Sequence, residues 1–103
     1  MSHSAQFYEY KGLRGFRLII DMSRRIITVN GAAGKRTKAD IRRELGFDEV
    51  RSVRTFLDRG ILLTVQGLEL ATNDLDCPII RIAMTPKDQS VWIARLSQVC
   101  NLT

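Results

Sequence analysis

The chain has 103 residues, of which 45% are hydrophobic and 26% charged, with 16 lysines and arginines against 11 acids and a net charge of +5. That is the size and balance of one ordinary globular domain, with no room for a second core. No apolar run approaches the roughly 20 residues that span a bilayer. The opening MSHSAQFYEYKGLRG lacks the apolar centre of an export signal, so the expected location is the cytoplasm.

Residues 1–15 read as a tail or an edge strand ahead of one domain over 16–103. His3, the only histidine, falls there, too isolated to serve as a base or a metal ligand. Phe16–Asp21 and Ile26–Asn30 are rich in strand formers and are separated by the polar link Met22–Arg25, the pattern of a β-hairpin. Asn30–Lys35 is a glycine loop, but Gly31 and Gly34 are too close together for a phosphate-cradling loop.

Thr37–Gly46 carries helix punctuation at both ends: Thr37 with Asp40 three residues on, and Gly46 as a stop. With Ile41 and Leu45 four apart, the spacing predicts a short basic helix over Lys38–Leu45. Asp48–Gly60 fits either a helical stripe (Val50, Val53, Leu57) or a strand face (Val53, Thr55, Leu57). Ile61–Asn73 is strand-like throughout, with Gln66-Gly67 as a turn or bulge. Asn73–Pro78 is a turn and Ile79–Met84 a last strand. Thr85 then caps a helix that opens on Pro86 and presents Trp92, Ile93, Leu96 and Val99, with Cys100, on one apolar face. These four residues are the expected structural core of the helix.

Little in the chain carries chemistry. Cys77 and Cys100 lack metal or redox spacing and read as two reduced thiols. Asp74 and Asp76 suit a turn better than a calcium loop, which needs further oxygen ligands. No nucleophile–histidine set can be assembled, so neither catalysis, a metal, a cofactor nor a small-molecule substrate is expected. The charge is the informative feature. Residues 24–59 hold ten basic against five acidic side chains, which accounts for the whole net charge. Such a field favours an acidic partner, a phosphate backbone or an anionic membrane surface.

Two readings compete. TKADIRRELGFDEVRSVRTFLDRG followed by strands resembles a winged-helix module, which implies Arg51 and Arg54 in a DNA groove, with Lys38, Arg42 and Arg43 on phosphates. Against it, Arg42 falls where the two helices cross, and Ser52 where an apolar residue is needed. The second reading starts from LELATNDLDCPIIRIAM and SVWIARL. A Thr72–Asp76 turn, a returning Pro78–Met84 strand and a helix bearing Trp92 and Leu96 resemble the small bacterial pleckstrin-homology-like (PH-like) domains. Residues 31–47 are longer than that pattern. The resemblance implies an α+β fold: a bent antiparallel sheet or partly open barrel of about six or seven strands, capped by the C-terminal helix, with the short helix inserted. It also implies a non-catalytic binding module whose partner is a protein or a second copy, ahead of anionic lipid. The basic face would be Arg24, Arg25, Lys35, Arg36 and Lys38, with Arg42 and Arg43 beside it.

Overall fold

The computed structural model describes residues 7–34 and 37–102. It is an α+β fold of two antiparallel sheets and one α-helix. The first sheet runs β1 (Phe7–Lys11), β2 (Arg17–Asp21), β3 (Ile26–Gly31) and β4 (Ile41–Gly46), in that order. The second is β5 (Val50–Arg59), β6 (Thr64–Thr72) and β7 (Ile79–Ala83), and the helix α1 spans Pro86–Val99.

Alternation builds the core. In β2 and β3 the cross-strand pairs Leu18↔Val29 and Ile20↔Ile27 point inward, and all four side chains are fully buried. From the second sheet, Leu68↔Ile82 and Leu70↔Ile80 meet them face to face. Helix α1 closes the remaining gap with Trp92 and Leu96, both buried, while Ile93, Val99 and Cys100 lie half-buried against the same core. Burial pushes the Cys100 thiol up to about 11.

The helix is fixed at its start. Thr85 accepts from the backbone N–H of Asp88, Pro86 fills the first turn, and buried Gln89 donates to the Met84 carbonyl at 2.8 Å. Tyr10 stands edge-on to Trp92, with ring centroids 6.3 Å apart, and donates its hydroxyl to the Ala83 carbonyl at 2.9 Å. This ties β1 and β7 to the helix.

The sheets join by backbone at one corner. Ala32 and Arg81 exchange two hydrogen bonds, of 2.8 and 2.9 Å. Close approach there requires Gly31, because a Cβ at that position would lie 2.6 Å from Ile80 Cγ2 and 2.7 Å from the Arg81 carbonyl oxygen. Elsewhere among the described residues the two sheets do not pair, so the strands form a sandwich rather than a closed barrel.

The register decides four of the sequence readings. The inserted basic helix over Lys38–Leu45 does not form: Ile41–Gly46 is strand β4, hydrogen-bonded along β3. An eight-residue helix with only two large apolar side chains is marginal, whereas a six-residue ladder satisfies the same backbone and buries Leu45 against Ile27. Asp48–Gly60 is mostly strand β5 after a single 3₁₀ turn at Phe47–Glu49, so the two helices of a winged-helix reader are missing where Arg51 and Arg54 would need them. Ile61–Leu63 is not strand but the loop between β5 and β6, closed by a hydrogen bond from Gly60 N–H to the Leu63 carbonyl. Gln66 and Gly67 sit inside β6; the register slip lies in β5 between Val50 and Ser52. No described helix is long and apolar enough to cross a membrane.

Candidate functional site

Among the described residues the expected basic face does not come together. Arg24 and Arg25 occupy the β2–β3 turn, whereas Lys38 lies in the β3–β4 loop, at the opposite end of β3. Lys35 and Arg36 lie outside the described residues. Arg24 reaches Asp21 at 4.0 Å, and Arg25, in a left-handed backbone conformation (φ 55°), lays its guanidinium over Phe47 at 5.1 Å. Along β4 the two arginines diverge. Arg42 is exposed and 3.8 Å from Glu44, while Arg43 turns to the inner side and donates to Asp74 at 3.1 Å. The Asp74 carboxyl is held below its usual range, first by the Asp76 backbone N–H, against a cost of burial, and then by Arg43. Asp74 and Asp76 therefore shape the β6–β7 turn.

Arg54 is likewise committed. Arg54, Glu69 and Arg81 stand directly opposite one another on β5, β6 and β7, forming an Arg–Glu–Arg row across the outer face. Arg54 Nε is 2.7 Å from one carboxylate oxygen, Arg81 Nε is 3.0 Å from the other, and Arg81 also reaches Asp58 at 2.6 Å. Phe56 lies beneath the Arg81 guanidinium at 4.7 Å. Burial favours the protonated form of Glu69, but the two guanidiniums outweigh it and hold the carboxyl below its usual range. Both carboxylates in this row are ion-paired, which suits a structural brace. Among the described residues no three of His, Cys, Asp or Glu gather as a metal site would require.

Two open surfaces stand out among the described residues. The first is the outer edge of β5. Ten residues long, β5 is terminal in its sheet, and among the described residues only β6 pairs with it. Beside its start, a cleft of about 350 Å³ lies between β5 and the end of α1, lined by Arg51, Ser52, Val53, Ser97, Asn101 and Leu102. Arg51 forms no ion pair with another described residue.

The second surface is the far end of the β5–β6 hairpin. The last pair between β6 and β7 is Gly67↔Ala83, whereas β5 and β6 continue through Leu57↔Gln66, Asp58↔Val65 and Arg59↔Thr64. A two-stranded ribbon therefore overruns the sheet, and its apolar side chains lie open: Ile61 is 102% and Leu62 97% exposed, Leu57 and Leu63 about half. Leu63 lines one cleft with Lys11, Leu13 and Arg14 of the β1–β2 turn and a second with Arg59 and Thr37. Arg14 also donates to the Thr37 hydroxyl at 3.1 Å. Three loops thus meet at this end. A run of apolar residues next to a strand reads as core in a sequence; only the register shows that Ile61–Leu63 has nothing to pack on. No family model, no curated protein and no solved structure matches the chain.

Proposed function

We propose that this chain is a cytoplasmic, non-catalytic binding module of PH-like architecture that takes an extended segment of a protein partner along the open edge of β5. The fold assignment is supported by the order of elements: four strands, three strands, then a helix whose tryptophan plugs the sandwich. The unpaired ten-residue edge of β5 carries the functional reading. An exposed strand edge is a row of backbone donors and acceptors, and a partner that adds a strand gains affinity from them. Side chains set the choice of partner. Arg51 and Arg59 are exposed on β5 and form no ion pair with another described residue, so an acidic segment fits. In a twofold pairing of two β5 strands centred on Thr55, Arg51 of one copy would face Arg59 of the other, and like charges directly opposite are unfavourable. That favours a different protein over a second copy.

The test is an array of acidic β-forming peptides, followed by hydrogen exchange on the chain with the best binder. Protection of outer-edge amides between Ser52 and Arg59 is the expected result. Binders that leave β5 exchange unchanged, or an array without any binder, refute the edge reading.

A further inference from the structure

We infer that the end of the β5–β6 hairpin is a membrane anchor, with Ile61 and Leu62 entering an anionic bilayer while surrounding cations meet the headgroups. The shape points there first. Ile61 and Leu62 sit at the crest of a ribbon that has left its sheet, almost fully open to solvent. No part of the described chain covers them. Leu57 and Leu63 continue the apolar surface down the ribbon, and Leu13, 84% exposed, adds to it from the β1–β2 turn. A crest inserts; it does not enclose a small ligand. Apolar surface of this kind, concentrated at one end, is what interfacial anchors present.

Charge selects the membrane as occupant. Lys11, Arg14, Lys38 and Arg59 belong to the same three loops and strand ends, and none forms an ion pair with another described residue. The nearest acid on the ribbon, Asp58, is already held by Arg81 at 2.6 Å. An apolar crest ringed by cations that no described acid neutralises matches a surface that is anionic at its skin and hydrocarbon beneath. Insertion of the crest leaves the outer edge of β5 available along its earlier residues, so this inference does not depend on the edge reading.

The experiment is flotation of the purified full chain with vesicles of phosphatidylcholine alone or mixed with phosphatidylglycerol. The chain is expected to float with the mixed vesicles and to be released as salt rises. Ile61→Asp with Leu62→Asp should lower partitioning by roughly tenfold or more, since each Leu or Ile withdrawn from hydrocarbon is worth about that factor. Arg59→Ala should lower it about fivefold. Circular dichroism of each variant should match the native spectrum, since the substituted side chains are exposed. As a second readout, Leu62→Trp should be quenched by brominated lipid, while the native chain, whose only tryptophan is the buried Trp92, should not. A folded native chain that stays with neither vesicle overturns the inference. So does flotation that the double aspartate variant retains, because attachment would then lie elsewhere.

Discussion

Replacing Trp92 by alanine tests the claim that the helix is part of the core rather than an appendage. Trp92 is 3% exposed, meets Tyr10 edge-on and lies 4.9 Å from the Arg95 guanidinium, which also covers Tyr8 at 4.6 Å. Truncating a buried aromatic costs about 3–5 kcal/mol, from lost transfer energy plus the cavity left behind. A domain of this size holds only about 5–15 kcal/mol in total, so the variant should lose a large share of its stability. At about 4–8 °C per kcal/mol, the midpoint of thermal unfolding should fall by roughly 12–40 °C, followed by far-ultraviolet circular dichroism because the fluorophore is gone. Val91→Ala, one position away on the exposed side, should change stability by less than about 0.5 kcal/mol. A double-mutant cycle with Tyr10→Ala should show a coupling of about 0.5–1.5 kcal/mol for the ring pair. If Trp92→Ala loses less than about 1 kcal/mol in urea, the helix does not seal the sandwich and the reasoning is wrong.

The remaining predictions concern the strands and the cap. Glu69→Gln should cost about 2 kcal/mol at neutral pH by weakening its charged hydrogen bonds to Arg54 and Arg81. Because the folded carboxyl titrates below its unfolded value, its contribution is complete above about pH 4.3 and is lost as pH falls through the folded value. Acid titration of urea stability should therefore fall less steeply in the glutamine variant, and identical slopes would contradict the pairing. Gly67→Ala should destabilise by about 2–3 kcal/mol, since the new Cβ would collide with the Ile82 carbonyl oxygen and lie 2.8 Å from Ala83 Cα, both backbone; equilibrium unfolding reads this directly. Thr85→Ala should cost about 1 kcal/mol in the same assay, through the lost cap on the Asp88 N–H. Cys100 should react with a disulfide reagent far more slowly in the native chain than after denaturation, as burial suppresses its thiolate.

The sequence carried the periodic elements well and the tertiary exceptions badly. Phe16–Asp21, Ile26–Asn30 and Ile79–Met84 are legible because alternation and burial coincide there, and the Thr85-Pro86 start of α1 is spelled out by residues with one local use. Strand β4 was hidden because Ile41 and Leu45, four apart, share a face in a helix and in a strand alike, while the intervening inward residue is charged. Arg43 looks like surface until the Asp74 carboxylate, 31 positions away, is beside it. The hairpin crest was missed for the opposite reason: Ile61, Leu62 and Leu63 look like core until the register shows that β7 ends too early to cover them. The basic face was what the charge distribution and the family resemblance implied, and among the described residues β3 holds Arg24 and Arg25 apart from Lys38.

Arg81 does two separable jobs. Its main chain is one half of the only β-bridge between the sheets among the described residues, and its side chain gathers Glu69, Asp58 and Phe56 on the outside. Any non-proline residue can supply the first, but only a guanidinium supplies the second. The weld between layers is thereby insulated from substitution, while the charge bracing beside it depends on the side chain at this one position.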